Sequence, residues 1–407
     1  MGQKKRVIII GGGAAGIFAA AVLGEKTNTF EIIVLEKTRQ LLSKVRISGG
    51  GRCNVTHAQF DPKKLTANYP RGNKELLGPF HTFQPQDTTQ WFHKHGVELK
   101  TEEDGRMFPT TDHSSTIINC LLDAAKQAGV QIRNEYSIRS IEKTENGFRL
   151  HLDNHDPIDC DYLILATGSS PQGHALATSL GHTIVSPVPS LFTFNVPTSP
   201  LLDLSGITIA DAELSLQGMP HKQRGSLLLT HWGFSGPAAL KLSAWAARDL
   251  HACNYRTDLF INWLPAQTQE EILNTLNTCK KQKPHKSLDQ ENLFGLPLNL
   301  WKRLLQMSHI SPGATLGHIS DKMLKTLAQQ LSASSFAVEG KTTYKSEFVT
   351  CGGIELKEIN FKSMESRLVP NLFFAGEVLN IDGVTGGFNF QNAWTTAYLA
   401  ATAIAAR

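Results

Sequence analysis

The chain has 407 residues, of which 41% are hydrophobic and 19% charged, and this composition is typical of a globular protein with two or three domains. A formal net charge of +4 does not favour nucleic acid or a membrane surface as a partner. Its six cysteines form no Cys-x-x-Cys pair, so no metal site or vicinal dithiol is predicted, and reduced thiols in a cytoplasmic protein are expected. The first apolar run, residues 7–10, is too short for a signal sequence or a membrane span.

The first forty residues predict a βαβ unit. Residues 6–10 form a β-branched run ended by glycines, residues 14–26 are rich in small residues with helical character, and residues 31–36 form a second apolar run. Further along, a helix is predicted over 115–128 and strands over 130–133 and 161–166. A hairpin is predicted within 138–152, turning at Asn146-Gly147.

Composition changes after Pro187, which indicates an insertion. Residues 190–262 combine short β-like runs such as 226–230 with turns, and residues 266–330 are mostly helical in pattern. A buried strand over 373–375 then precedes a glycine-rich loop and a helix from about Gln391. Three domains are expected: a discontinuous nucleotide-binding domain (1–190 plus 345–407), a β-rich insert (191–262 plus 327–344) and a helical insert (263–326).

The segment Gly11 to Gly16 fits the pattern G-x-G-x-x-G between a strand and a helix, and Glu36 follows about 20 residues later, where dinucleotide-binding folds place a ribose-binding acid. Gly11 permits a tight turn, Gly13 lets the backbone approach a pyrophosphate, and Gly16 allows close helix packing. A carboxylate at Glu36 disfavours NADP because it repels a 2′-phosphate. The cofactor residues predicted here are Gly11, Gly13, Ala14, Ala15, Gly16, Glu36 and Lys37.

The far end of the chain favours FAD over NAD. An apolar strand ends in Gly376-Glu377, and Gly386-Gly387 leads directly into a helix whose exposed amides would stabilise negative charge on a flavin ring. A third strand end, at residues 166–168, is expected close to the same cofactor. The cofactor residues predicted from these segments are Ile138, Ala166, Thr167, Gly168, Gly376, Glu377, Gly386, Gly387, Phe388 and Asn389.

Five blocks, at residues 44–56, 105–109, 187–191, 230–237 and 375–394, resemble a family of bacterial FAD-dependent oxidoreductases that are aminoacetone-oxidase-like or bile-acid-reductase-like. The resemblance spans essentially the whole chain. It implies an α/β fold with a Rossmann-like, glutathione-reductase-like FAD-binding domain and inserted β-rich and small helical domains. Phe388-Asn389-Phe390 stands where a Tyr-Asn-Leu-like string is usual, and Trp232 where a smaller aromatic is common, so the substrate pocket is expected to differ.

The first of these blocks is expected to run along the FAD phosphates towards the ring, with Arg52 neutralising phosphate or an anionic substrate. Its predicted cofactor residues are Lys44, Ser48, Gly49, Gly51, Arg52, Cys53 and Asn54. Catalytic residues are not specified by the sequence. Cys53 is a weak candidate, and its alternative interpretation is a packed thiol. Arg106 is another, with a structural turn as the alternative. His231 and His113 are further weak candidates, and the alternative for each is a structural histidine.

We therefore predict an oxidoreductase that passes hydride between a tightly bound FAD and a small or medium organic substrate or NAD(P)H. The chain has no second G-x-G-x-x-G in a strand–helix setting, so NAD(P)H is expected to bind transiently. One alternative is a flavin-dependent RNA-modifying enzyme, which predicts a basic stripe such as the lysines of residues 280–286. Another is a non-catalytic FAD-binding protein. The sequence does not specify substrate, electron partner or oligomeric state.

Overall fold

The computed structural model describes residues 4–342 and 349–407. The chain divides into two compact units, Met1–Val188 with Lys345–Arg407, and Pro189–Tyr344. One core of buried apolar residues in the second unit runs from its strands to its helices. The further division of this unit into a β-rich and a helical domain stays a prediction.

Strands and helices alternate through most of the described residues. In chain order, strands β1 to β22 span Lys5–Ile10, Phe30–Glu36, Thr56–His57, Leu99–Thr101, Arg106–Pro109, Gln131–Asn134, Ile138–Lys143, Phe148–Leu152, Ile158–Cys160, Tyr162–Leu165, Ile184–Ser190, Thr193–Asn195, Thr208–Leu216, Lys222–Thr230, Gly233–Ser235, Arg256–Asn262, Ser334–Glu339, Lys341–Thr342, Val349–Ile354, Ile359–Asn360, Glu365–Ser366 and Leu372–Phe374. Helices α1 to α13 span Ala14–Lys26, Ser43–Ile47, Pro62–Thr66, Leu77–Thr82, Pro85–Lys94, Ser114–Gln127, Pro171–Ser179, Pro237–Trp245, Ala247–Ala252, Gln269–Gln282, Leu298–Met307, Asp321–Ala333 and Phe388–Ala405. Short 3-10 turns lie at Ser48–Gly51, Leu202–Leu204, Leu316–His318, Leu356–Glu358 and Gly376–Val378.

The first unit is built on a seven-stranded sheet in the order β20-β21-β22-β10-β1-β2-β6. Its five strands from β22 to β6 run parallel, and β1 lies between β10 and β2. Strand β1 is buried over its last four residues, as expected for a parallel strand covered on both faces. The predicted βαβ unit is confirmed, with helix α1 over the predicted residues 14–26. The hairpin is confirmed too, since β7 and β8 pair antiparallel.

Helix α1 contains small residues because other segments pack directly on it. A Cβ on Gly24 would lie 2.7 Å from the Ala128 Cβ, and a Cβ on Gly376 would lie 2.9 Å from the Ala15 Cβ. These contacts bring the turn that begins at Gly376 onto the start of α1. The two ends of the chain therefore meet at the first turn of this helix.

The second unit contains a seven-stranded sheet in the order β17-β16-β13-β14-β15-β12-β18. Its adjacent strands pair antiparallel. The interpretation of residues 190–262 as short β runs and turns was incomplete, because α8 and α9 lie in this range. Residues 237–252 are rich in alanine and leucine, and their buried side chains pack into the unit's core; tertiary packing of this kind supports short helices.

Helix α13 begins at Phe388, three residues before the predicted start near Gln391. Its buried polar side chains form a hydrogen-bonded network. The Gln391 side-chain oxygen accepts from the Thr56 and Thr88 hydroxyls at 2.6 and 2.9 Å, and its amide donates to Thr395 Oγ1 at 3.0 Å. Because buried polar groups must be paired, these bonds fix strand β3 and helix α5 against α13.

A second buried network, at His182, ties the segment after α7 to the segment between β19 and β22. His182 Nδ1 lies 2.9 Å from Glu358 Oε2, and its Nε2 lies 2.9 Å from Ser366 Oγ. Burial lowers the pKa of His182 by more than the Glu358 hydrogen bond raises it. Burial alone would raise the pKa of Glu358, but hydrogen bonds from Thr183 and His182 lower it.

We expect the His182 network to make the free energy of unfolding decrease as the pH falls below about 6.5, the ordinary pKa of histidine. The unfolded chain takes up a proton at His182 below about pH 6.5, whereas the folded state resists it, so stability falls as pH falls. His182→Gln should reduce this pH dependence, measured by urea unfolding at several pH values. The exposed His81→Gln serves as the control and should leave it unchanged. An unaltered slope in His182→Gln would contradict the assignment.

Candidate flavin-binding site

The predicted cofactor segments that follow strands gather at one edge of the first unit's sheet. Strands β1, β2, β10 and β22 are parallel neighbours, so their carboxyl ends lie together. In open α/β sheets, ligands bind outside these ends. The segments that begin here are 11–16, 36–37, 166–168 and 376–377.

The glycine turn after β1 is closely packed at two positions and open at a third. Gly11 has φ +112°, and a Cβ there would lie 2.4 Å from the Ala166 carbonyl oxygen. A Cβ on Gly16 would lie 1.9 Å from the Gly11 carbonyl oxygen. A Cβ on Gly13, which precedes α1, would meet no atom within 4 Å. Close packing at Gly11 and Gly16 thus fixes the turn, and the space beside Gly13 at the N-terminus of α1 stays open.

The Glu36 carboxylate at the end of β2 is oriented by its neighbours. Its Oε2 accepts from the Gly12 amide at 2.8 Å, and its Oε1 accepts from the Thr38 amide and hydroxyl at 2.9 and 2.8 Å. A carboxylate has about four acceptor sites, so capacity remains for a ribose hydroxyl. This placement gives Glu36 the geometry that the sequence assigned to it.

A cleft that opens to solvent lies beside Glu36. Its lining residues are Ile10, Gly11, Leu35, Glu36, Lys37, Tyr136, Ile138, Thr167, Ser170, Gln172, Gly173 and Leu176. The structure therefore brings together five predicted cofactor residues: Gly11, Glu36, Lys37, Ile138 and Thr167. It also adds residues that the sequence analysis missed.

Tyr136 and Gln172 are the informative additions to this cleft. The Tyr136 ring stacks on His155 at 3.9 Å, and the Gln172 amide donates to the Ile138 carbonyl oxygen at 2.7 Å. Neither residue belongs to a motif. The only sequence signal for Tyr136 is its position directly after strand β6, at the sheet edge where ligands bind.

The loop after α2 adopts left-handed conformations in succession. Gly49, Gly50 and Gly51 have φ of +57°, +68° and +85°, and Cys53 has φ +64°. A Cβ on Gly50 or Gly51 would meet no atom within 4 Å, whereas one on Gly49 would lie 2.9 Å from the Phe108 ring. Only glycine adopts such conformations without strain, which explains the run of glycines. Two of these glycines, Gly50 and Gly51, also face open space.

The structure argues against Cys53 as a nucleophile. Its side chain is fully buried, and burial raises the pKa of the thiol to about 12, although a Ser48 hydrogen bond lowers it. The thiolate is the reactive form, and it is scarce at neutral pH when the pKa is so high. The packed-thiol interpretation therefore fits the structure better.

We expect Cys53→Ser to leave flavin reduction within about twofold of wild type. Loss of a true acid, base or nucleophile typically costs about 10²-fold or more, so the two interpretations are well separated. Anaerobic stopped-flow absorbance of the bound flavin measures the rate, and the buried Cys351→Ser is a matched control. If the rate of flavin reduction fell by about 10²-fold in Cys53→Ser but not in Cys351→Ser, Cys53 would again be a candidate catalytic residue.

Arg52 and Arg106, predicted to act on phosphate or substrate, are both paired with carboxylates of the protein. Arg52 Nη1 donates to Glu102 at 2.6 Å, and its guanidinium lies 4.0 Å from the Phe108 ring centroid. Arg106 donates to Glu102 at 2.9 Å and to Asp104 at 2.7 Å. Because carboxylates compensate both guanidinium charges, these residues tie the 44–56 block to the strand after Gly105 rather than present a free anion site.

Lys44 and Glu377 join helix α2 to the turn that follows β22. Lys44 Nζ lies 2.5 Å from Glu377 Oε2, and Glu377 Oε1 accepts from the Thr350 amide at 3.2 Å. A Cβ on Gly168 would lie 3.8 Å from the same Glu377 carboxylate. Three predicted cofactor residues from distant parts of the sequence thus form one cluster.

The start of α13 differs from the expectation of fully exposed amides. With the Asn54 amide in the orientation that satisfies its partners, Asn54 Oδ1 accepts from the Gly387 amide at 3.0 Å. Asn389 uses its side chain within the loop, donating to the Gly383 carbonyl and accepting from the Gly383 amide at 2.9 and 2.8 Å. The following amides of the first turn have no acceptor within the helix and remain suited to an anion.

The two remaining catalytic candidates are histidines. His231 lies in the second unit, exposed beside Trp232, and His113 precedes α6.

Across residues 4–342 and 349–407, no group of three or more His, Cys, Asp or Glu side chains is arranged to bind a metal. In the same residues, no helix has the length and apolar character needed to cross a membrane.

Comparison with known proteins identifies the family. The model of the HI0933-like protein Rossmann domain matches residues 5–403. The chain belongs to this family. The chain is an FAD-dependent oxidoreductase, as predicted, and the family resemblance is confirmed.

Three relatives match along nearly their whole length. The chain is 30% identical to a ribosomal RNA dihydrouridine synthase of Escherichia coli over 98% of both chains. It is 29% identical to the protein of the same name in Haemophilus influenzae, over 99% of both. It is 27% identical to a 3-dehydro-bile acid delta(4,6)-reductase of Clostridium scindens, over 99% of both.

A solved structure has the same fold. The 3-ketosteroid-Δ4-(5α)-dehydrogenase of Rhodococcus jostii covers 100% of this chain and 98% of its own, with a TM-score of 0.52 and 13% identity. At this identity the likeness concerns architecture alone. It agrees with the predicted Rossmann-like FAD-binding fold.

The residues present fit FAD. Within the described residues, the Thr167 hydroxyl is buried in the cleft wall without a hydrogen-bond partner, and a buried unpaired hydroxyl is costly unless a ligand or water pairs it. The space in front of Gly13 leaves the α1 N-terminus open to an anion. An orphaned hydroxyl, an oriented carboxylate and an open helix end thus lie along one sheet edge.

Proposed function

We propose that this HI0933-like enzyme reduces a carbon–carbon double bond conjugated with a carbonyl group, and that its substrate is a uracil base in ribosomal RNA. The supporting observation is the pair of full-length relatives at 30% and 29% identity, both named ribosomal RNA dihydrouridine synthase. Dihydrouridine differs from uridine by saturation of the ring bond next to a carbonyl. The bile-acid relative is named for reduction of comparable bonds in a small molecule.

The chain's own residues provide the cofactor platform for this reaction. The α1 N-terminus supplies amides and a helix dipole for a pyrophosphate, and Glu36 supplies acceptors for ribose hydroxyls. The amides at the start of α13 favour negative charge on a ring placed against them. Once reduced by its electron donor, bound FAD would supply the hydride, and a proton would complete saturation of the double bond. With no second dinucleotide fingerprint in the sequence, we propose that NAD(P)H binds transiently as electron donor.

The lysine run at 280–286 gives this proposal little support. Lys280 donates to the Ile319 carbonyl oxygen and to Asp321 at 2.7 and 2.9 Å, and Lys283 donates to Glu291 at 2.7 Å. Paired lysines are poor phosphate contacts, because their charge is already compensated. The RNA assignment therefore depends on the relatives and not on a basic stripe.

The test supplies purified holoprotein and NADPH or NADH to ribosomal RNA transcribed in vitro, and mass spectrometry follows saturation of uridine. We expect dihydrouridine at defined positions. A matched reaction with a 3-keto-4,6-diene steroid tests the second candidate, a small-molecule enone reductase, which the bile-acid relative favours. A flavin that is reduced by the nucleotide but is reoxidised by neither substrate would overturn both.

A further inference from the structure

The loop of residues 380–388, which leads from the Gly376 turn into α13, is fastened by a segment outside every block singled out by the sequence. The Asn68 carbonyl oxygen accepts from the Val384 amide at 2.9 Å. The buried Tyr69 hydroxyl donates to the Phe388 carbonyl oxygen at 2.6 Å. Residues 68–72 therefore bind both the middle and the end of this loop.

The strongest of these contacts joins Arg71 to Asp382. Arg71 Nε donates to Asp382 Oδ1 at 2.6 Å, and Arg71 Nη2 donates to the other carboxylate oxygen. The Asp382 side chain is fully buried, and the Arg71 side chain is 15% exposed. Their backbones also form an antiparallel bridge. A two-pronged contact of this kind fixes orientation as well as distance.

The opposite side of the loop is also fixed. His57 Nδ1 lies 3.0 Å from the Gly386 carbonyl oxygen, and the His57 ring stacks on Phe388 at 4.6 Å. Asn54 accepts from the Gly387 amide. The loop is thus held between two segments, and a pair of opposite charges, Arg71 and Asp382, joins it to one of them.

We propose that Arg71 and Asp382 are positioning residues for the flavin ring, and that their separate charges act on its reduction potential. Asp382 lies four residues before Gly386, and Gly386-Gly387 leads into α13, the element suited to the ring's electron-rich edge. Charges in a buried setting act over longer distances than exposed ones, because water screens them less. This inference rests on the flavin-binding part of the assignment and is independent of the substrate.

The test measures the midpoint potential of bound FAD by dye equilibration in purified holoprotein. Asp382→Asn removes a negative charge and should raise the potential, because a more positive field favours the reduced ring. Arg71→Met removes a positive charge and should lower it. The double variant should return towards wild type. A purely structural role predicts shifts of the same sign, or weaker FAD binding without opposite shifts, and would overturn the proposal.

A control pair and a fallback comparison separate a charge effect from a loss of folding. The exposed bidentate pair Arg149 and Asp159 is the matched control, and Arg149→Met and Asp159→Asn should leave the potential unchanged. If Asp382→Asn does not fold, Arg71→Lys, which keeps the charge, is compared with Arg71→Met. Equal potentials in these two variants would overturn the proposal. Absence of RNA reduction would affect only the proposed function, since the potential is measured without substrate.

Discussion

Replacing Gly16 by alanine should destabilise the first unit and abolish FAD binding. The added Cβ would lie 1.9 Å from the Gly11 carbonyl oxygen, a backbone atom in the same turn, so helix α1 or strand β1 must shift. Overpacking of a close-packed core typically costs about 1–3 kcal/mol, and a clash with backbone falls at the upper end. Urea unfolding of the apoprotein measures the loss, and flavin fluorescence titration measures binding.

The matched control for Gly16→Ala is Gly78→Ala. Gly78 also lies in a helix, but a Cβ there would meet no atom within 4 Å. Its replacement should be neutral or stabilising by up to about 1 kcal/mol, because alanine is the better helix former. A Gly16→Ala protein as stable as Gly78→Ala would mean that the strand–helix contact is looser than the structure indicates.

The sequence predicts the parts of the site whose signals are local. Helix α1 and its glycine turn follow from the pattern around Gly11 and Gly16, because a buried parallel strand, a tight turn and a helix start leave adjacent marks in the sequence. Glu36 follows from its spacing. These residues lie where the pattern placed them, at the carboxyl edge of the sheet.

The sequence does not predict contacts between distant segments. Arg52 looks like a free cation in its motif, and only the fold brings Glu102 within 2.6 Å of it. Likewise, nothing local to Arg71 indicates a partner at Asp382. Helix α13 begins earlier than predicted because Gly387, at φ +93°, precedes its first turn and donates its amide hydrogen bond to Asn54, a residue far away in the chain. Such pairings are tertiary and leave no periodicity to detect.

Replacing Gly13 by alanine should leave the apoprotein intact and weaken FAD binding. Gly13 has φ −86°, which alanine adopts readily, and its Cβ would meet no protein atom within 4 Å. The unfolding free energy should therefore stay within about 0.5 kcal/mol of wild type. The added methyl occupies the space through which a pyrophosphate approaches the α1 N-terminus. A steric cost of about 1–3 kcal/mol raises the dissociation constant by about 5- to 150-fold.

The contrast between these two glycines separates folding from binding. Gly16→Ala should lower stability whether or not FAD is added. Gly13→Ala should differ from wild type only in the stabilisation that added FAD provides, because this stabilisation grows with the logarithm of the ligand's affinity. Thermal unfolding with and without FAD measures both effects in one experiment. If Gly13→Ala bound FAD as tightly as wild type, the pyrophosphate would have to lie elsewhere than at the start of α1. The cofactor-binding roles given to Glu36 and Thr167 would then lose their support.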